Sequence, residues 1–260
     1  MRKLVSGSLL LFLLLLFALF FSSPSVVDTS QRLLAPSLSH PFGTDGYGRD
    51  LLAVTASGLR TSFSVALAVT AVSLALGLLL SFAFSSRRLP KAPFIFLSDT
   101  LKSVPPLVLA LFLGSLSGPG LMKLVAALSV ANMPNLARTA YARAPMLREE
   151  AYSRASEAMG MGEAGIFLRH LLPRLWPYLM LQCVAVFSSS VLSEASLSFL
   201  GCGVPLSAPS LGRILSESRG LVLQAWWTGV FPASALFLTG LSLELIGKGQ
   251  SELDPSSERA

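Results

Sequence analysis

Apolar residues run along this chain in long blocks, and the polar residues are gathered into the stretches between them. Crossing the hydrocarbon of a bilayer as a helix takes about 20 residues. Six blocks approach that length, at 4–21, 62–84, 94–114, 121–138, 176–200 and 228–246. The pattern predicts an all-α polytopic membrane protein with about six transmembrane helices. The first block, LVSGSLLLFLLLLFALFF behind Arg2 and Lys3, is followed by small residues, Ser22 and Ser23, as a cleaved leader would be. Its apolar run exceeds the roughly 7–15 residues of a leader core, so it is read as a retained span.

Composition agrees with the pattern. Of 260 residues, 52% are hydrophobic and only 13% are charged, where a soluble domain carries about a quarter. The net charge of +6 does not point to nucleic acid, because the basic residues are spread between apolar blocks rather than gathered in a patch. They orient the bundle instead. With the N-terminus inside, thirteen of the twenty Lys and Arg fall in cytoplasmic segments: Arg2, Lys3, Arg87, Arg88, Lys91, six arginines from Arg138 to Arg174, Lys248 and Arg259. The positive-inside rule then places both termini in the cytoplasm. Cys183 and Cys202 are separated by apolar helix, ~28 Å at 1.5 Å per residue, and are expected to be packing residues rather than a disulfide. His40 and His170 lie in different loops, so no metal constellation is visible.

Several ionisable residues stand at or near membrane depth, where they are costly and usually face a bundle interior or a water-filled path. Asp99, Lys102 and Glu244 sit close enough to the cytoplasmic interface to snorkel. Glu194, near the outer end of the fifth block, suits a path-lining role and an interface role equally. Pro105 and Pro106 remove backbone donors and are expected to kink the third span.

The stretch EAYSRASEAMGMGEAGIFLRHLLP (150–173) lies between the fourth and fifth blocks, on the cytoplasmic side. Tyr152, Ala155 and Met159 fall on one helical stripe, with Arg154 and Glu157 facing away. Gly160 and Gly162 can end this helix, since glycine accepts the left-handed conformation found there. A second short helix follows with Ile166, Phe167 and Leu171, which Pro173 is expected to break. A mere connector needs no apolar stripe. The stripe wants a partner, either the bilayer surface or another protein.

At this point the residues resemble a known family. The loop is similar to the EAA loop of ABC-importer permeases: Arg154, Ala155 and Ser156 take the Glu-Ala-Ala places, Gly160 the glycine, and Leu172–Pro173 the Leu-Pro end. Arg154 departs from the usual glutamate. HPFGTDGYGRDLL (40–52), SEASLSFLGCGV (193–204), APSLGRILSESR (208–219) and LDP (253–255) resemble, in order, segments of the C-type permeases of the oligopeptide, dipeptide and nickel family. Leu211 stands where a tryptophan is frequent.

The resemblance implies the type I importer permease architecture of MetI-like proteins, and a permease subunit for peptides in the inner membrane, with nickel or another small solute as the alternative cargo. It implies a B-type permease partner in a heterodimer, two ABC ATPases and an extracytoplasmic solute-binding protein, all within a lipid bilayer. Residues 1–24 would hold the first span, 25–61 an extracytoplasmic loop, 62–250 the permease core with its coupling loop at 140–174, and 251–260 a cytoplasmic tail. Tyr152, Arg154, Ala155, Ser156, Met159, Gly160, Leu172 and Pro173 would form the coupling loop, seated on one ATPase. Asp99, Pro105, Glu194, Ser196 and Ser198 are candidates for the translocation path or gate.

No Gly-x-x-x-x-Gly-Lys-Ser/Thr phosphate cradle is present; Gly247-Lys248-Gly249 lacks the upstream glycine and the hydroxyl residue. The chain is therefore expected to bind no cofactor and to be no enzyme, with ATP and Mg used by its partners. Gly43, Thr44, Asp45, Gly48, Arg49 and Asp50 could hold phosphate or metal, but no strand precedes them. A self-hydrogen-bonded turn at the outer surface fits better. The outer stretch 201–227, with Trp226 and Trp227, is expected at the interface. An ion-coupled secondary transporter working alone would need no coupling helix, and the ordered motifs speak against it.

Overall fold

A computed structural model describes residues 2–21, 27–85, 96, 98–101, 103–117, 120–205 and 208–252. Lys102, the basic residues Arg87, Arg88 and Lys91, and the LDP segment fall outside the described residues.

The described residues form a helical bundle, with one isolated bridge between Thr44 and Asp50. Its helices are α1 (Arg2–Phe20), α2 (Leu51–Ser85), α3 (Pro106–Ser117), α4 (Leu121–Arg148), α5 (Ala151–Ala158), α6 (Glu163–Phe199, with a π-helical turn at Phe167–Leu171), α7 (Leu211–Ser218) and α8 (Trp227–Ser251). Among them, α1, α2, α6 and α8 are long and apolar enough to cross a membrane. The all-α class read from the apolar blocks is thus observed, and of the six expected spans four are long and apolar enough among the described residues.

Three boundaries depart from the sequence reading, each for a local reason. Helix α2 begins at Leu51, well before residue 62, because the Asp50 carboxylate accepts from the Leu52 and Ala53 backbone N–H groups at 2.9 and 3.3 Å and so caps it. The expected outer loop is shorter by that much. Pro105 and Pro106 interrupt the third block more sharply than a kink: helical residues at 98–101 and 103 end before them, and α3 starts at Pro106, where a missing donor costs nothing. Pro173, expected to end the second short helix before the fifth span, does not separate the two. The π turn just before it places its hydrogen bonds one residue further back, Leu172 N–H to Phe167 O, and α6 runs on through the proline. The expected loop at 140–174 therefore contracts to α5 and two short connections, since α4 reaches Arg148 and α6 starts at Glu163.

Among the described residues the core has four apolar clusters. Leu14 and Ala18 of α1 pack with Leu59 and Phe63 of α2 and with Ala235 and Leu243 of α8. Leu136, Ala140 and Ala144 of α4 meet Ile166, Phe167, Leu171, Leu175 and Leu179 of α6. Val65, Val69, Leu124 and Leu128 join α2 to α4, and Leu51, Ile214 and Trp227 close the end opposite α5. Where lipid and core are equally apolar, small and polar contacts add specificity. Ser73 Oγ donates to Ser129 O at 3.2 Å between α2 and α4, and Ser189 Oγ donates to Asn132 Oδ1 at 3.1 Å between α6 and α4.

Candidate functional site

The short helix α5 is held on one face and open on the other. Ser153 and Ser156 are buried, whereas Arg154, Ala155 and Met159 are exposed, Met159 at 78%. On the held face, Ser153 Oγ and Tyr152 OH both donate to Leu147 O, at 3.1 and 3.3 Å. The Arg174 guanidinium lies 4.2 Å from the Tyr152 ring centroid and pairs with Glu150. The Tyr152 and His170 ring centroids are 5.6 Å apart, and Ser156 Oγ lies 3.1 Å from His170 Nε2. Tyr152 therefore belongs to the held face rather than to an open apolar stripe. Ala155 and Met159 keep the open place expected for them, and Arg154 joins them there.

The end of α5 is a Schellman motif. Gly160 sits at φ +85°; its N–H donates to Glu157 O at 3.0 Å, and Met161 N–H donates to Ser156 O at 3.0 Å. Gly162 has an extended backbone, with φ −66°, and leads into α6. Only Gly160 uses glycine's left-handed freedom here. Leu172 and Pro173 lie in the first turn of α6 after the π turn, Pro173 exposed.

At the opposite end of the bundle, residues 40–50 form a turn bonded to itself. Asp45 Oδ1 accepts from the N–H groups of Tyr47 and Arg49, and Asp45 Oδ2 from Arg49 Nε at 2.6 Å. Arg49 reaches on to Glu217 of α7 at 3.0 Å. Asp50 pairs with His40 at 2.9 Å while capping α2. Thr44 Oγ1 donates to Gln31 O, and Thr44 O accepts from Trp227 Nε1 at 3.2 Å. Gly48, at φ +75°, has no room for a Cβ, which would stand 1.7 Å from Asp28 O. Hydrogen bonds from Ser30, its hydroxyl first and its backbone next, hold the Asp28 carboxyl below the usual carboxylate range. These carboxylates are spent on the turn's own donors. Among the described residues, no three His, Cys, Asp or Glu side chains gather to hold a metal.

The five path candidates do not converge. Asp99 pairs with Arg138, and Pro105 stands exposed before α3. Glu194 is fully buried, and faces neither an interface nor an open path within this chain. Its Oε2 accepts from Ser62 Oγ at 2.6 Å and its Oε1 from Ser198 Oγ at 2.7 Å, with the Ser210 hydroxyl as a further donor. Ser198 Oγ in turn accepts from Val204 N–H at 3.2 Å. Glu194 thus ties α6 to α2, to the loop after α6 and to the cap of α7. Ser196 is the candidate left on a partly open face, its hydroxyl bonded back to Leu192 O.

Two features escaped the sequence reading. One is the pair His170 and Arg174 under α5. The other is a groove of about 880 Å³ between α6 and α8, where Gln182, Ser188 and Ser189 interrupt a wall that includes Leu192, Leu236 and Phe237. Its signal in the sequence is Gln182, Ser188 and Ser189 on a helix that also carries Ser190, Ser193 and Glu194.

Comparison with known proteins covers most of the chain. Residues 73–249 match the family described as binding-protein-dependent transport system inner membrane component. The chain is 34% identical over 233 residues to a Brucella suis biovar 1 protein bearing the provisional name peptide transport system permease protein, covering 89% of this chain and 79% of that one. It is 32% identical to the dipeptide transport system permease protein DppC of Alkalihalophilus pseudofirmus, covering 94% of this chain and 81% of that one. Among solved structures, a chain of an amino acid ABC transporter crystallised with histidines superposes with a TM-score of 0.58 at 16% identity, over 76% of this chain and 94% of that one. A chain of the inward-facing MetNI methionine ABC transporter gives 0.53 at 20% identity, over 76% and 91%. Both share the fold.

Proposed function

The chain belongs to the binding-protein-dependent transport system inner membrane component family, and from that premise we propose that it is the C-type permease subunit of an ATP-driven importer, forming half of a path for oligo- or dipeptides across the cytoplasmic membrane. The peptide cargo is supported by the names of its relatives; nickel or another small solute is the alternative. The observation that carries the reading is the two-faced α5. One face is pinned by Tyr152, Ser153 and Ser156, while Arg154, Ala155 and Met159 are left without cover from the described residues.

In this reading the open face of α5 seats in a groove of an ABC ATPase, with Arg154 at its edge. Two such ATPases use ATP and Mg, a B-type permease completes the path, and a solute-binding protein delivers cargo to the end carrying the 40–50 turn. Both termini and α5 then face the cytoplasm. Residues 1–24 serve as the first span, the segment from 25 to Asp50 as the outer loop, the core from Leu51 to 250 as the permease body, and 251–260 as the tail.

The test is gentle purification followed by reconstitution. The chain is expected to bring down a second permease and ATPase subunits, and the complex to take up a tritiated dipeptide pool only with ATP and the cognate binding protein. Alone in liposomes it should show neither ATP hydrolysis nor flux. Ion-driven uptake by the isolated chain would overturn the proposal.

A further inference from the structure

In the turn opposite α5, both ring nitrogens of His40 meet acceptors. Nδ1 lies 2.9 Å from Asp50 Oδ2. The other oxygen of that carboxylate already accepts from the Leu52 and Ala53 N–H groups at the start of α2, a use that favours the ionised form. On the far side of the ring, Nε2 lies 3.1 Å from Gln31 Oε1. The Gln31 amide is fixed in that sense, because its Nε2 donates to Asp28 Oδ2 at 3.0 Å. Hydrogen bonds from Ser30 in turn keep Asp28 a carboxylate. A neutral imidazole has one N–H and one lone pair. Either tautomer therefore turns a lone pair onto an oxygen, that of Asp50 or that of Gln31. Only the imidazolium donates to both.

The bridge holds three segments together. Gln31 ends the short turn Thr29–Gln31, and Asp50 caps α2. His40 O accepts from Ser37 N–H at 2.9 Å and Gly43 N–H at 2.8 Å, which closes the turn between them. The other charged groups around the cap are paired among themselves: Arg49 with Asp45 and Glu217, and Glu217 with Arg213. Arg32 lines a separate recess with Asp45 and Glu217. The side chains of His40 and Asp50 stay 24% and 32% exposed, so protons reach the pair from water.

We propose that His40 is a proton-operated latch of the outer cap. As the imidazolium it ties Gln31 to the Asp50 cap of α2, and on losing a proton it releases one side. The stabilisation is present at acidic pH and is lost as pH rises and the ring becomes neutral. The latch itself stands on the geometry of the cap. That it answers to pH outside the cell rests on the orientation proposed above.

The experiment is hydrogen exchange of the purified full chain in lipid nanodiscs at about pH 5 and about pH 8, an interval in which histidine is the side chain that ordinarily changes charge. Rates are divided by the intrinsic rate at each pH. Protection across 31–53, which includes the bonded amides of Gly43, Leu52 and Ala53, should be about threefold to tenfold lower at the higher pH, the factor set by losing one hydrogen bond. His40→Gln changes no charge with pH and should abolish the step. Asp50→Asn should abolish it too, for a different reason. Its oxygen can still cap α2 while its amide N–H donates to a neutral Nδ1. Protection that does not change with pH in the unmodified chain would overturn the latch, as would a step that survives undiminished in His40→Gln or Asp50→Asn. A step in the unmodified chain, with Leu38→Cys shielded from an impermeant thiol reagent in sealed cells, would sustain the latch and overturn the orientation.

Discussion

Gly160 carries a prediction in which two physical effects separate cleanly. Its φ is +85°, and a Cβ built on it meets nothing within 4 Å. A side chain there has space, so the whole cost of substitution lies in the backbone conformation. An L-residue forced into the left-handed region pays about 1–2 kcal/mol, which is roughly five- to thirtyfold in an equilibrium. Asparagine tolerates this region better than alanine, and a β-branched residue tolerates it worst. The strain raises the folded loop relative to its locally opened state, so protection of the Gly160 and Met161 amides should fall by the same factor. Both amides are bonded at 3.0 Å, to Glu157 O and Ser156 O. Hydrogen exchange across 156–166 in the assembled complex should therefore quicken in the order Asn, Ala, Val, with Gly160→Ala about five- to thirtyfold faster than the unmodified chain. The same order should appear as loss of stimulated ATP hydrolysis. Exchange in Gly160→Val equal to that of the unmodified chain, or Gly160→Asn as fast as Gly160→Val, would refute the argument.

Two further predictions concern the interior and the topology. Glu194→Leu strands the buried hydroxyls of Ser62 and Ser198, each worth about 1–3 kcal/mol when left unsatisfied. The apparent melting temperature in detergent should fall well below that of Glu194→Gln, which keeps an acceptor in place; a melt of Glu194→Leu at or above that of Glu194→Gln contradicts the tie that Glu194 makes between α6 and α2. Leu38 and Met159 are exposed at opposite ends of the bundle. In a chain with Cys183 and Cys202 replaced by serine, Leu38→Cys should react with an impermeant thiol reagent in sealed cells. Met159→Cys should react only in inverted vesicles stripped of peripheral subunits, and its labelling in sealed cells would reverse the orientation.

What the sequence made legible was whatever depends on composition over many residues or on one residue's backbone. The apolar blocks of α1, α2, α6 and α8 are visible because each is long and nearly free of charge. The left-handed Gly160 was legible for the complementary reason: a glycine after an amphipathic run has one dominant use. Helix ends were harder to read. Thr55, Ser57, Arg60 and Thr61 make the first turns of α2 look like loop, yet they are helical because Asp50 caps them and Ser62 meets Glu194. Prolines misled in both directions, since whether a missing N–H breaks a helix depends on what precedes it. Pro105 and Pro106 stand where a helix starts, and Pro173 follows a π turn.

The hydroxyls around Glu194 and the clamp under α5 were illegible for a different reason, because each joins segments that only the fold brings together. Ser62 and Glu194 lie on different helices, as do Ser156 and His170. Each half of the clamp nevertheless leaves a local mark. Tyr152 and Ser156 are four residues apart on α5, and His170 and Arg174 are four apart on α6, so each pair presents one face of its own helix. Two such polar faces flanking a glycine turn can meet only if the turn reverses the chain, and Gly160 does so. The left-handed residue that marks the end of α5 is thus also what lets the two faces close on each other. The turn and the clamp should therefore fail together rather than independently.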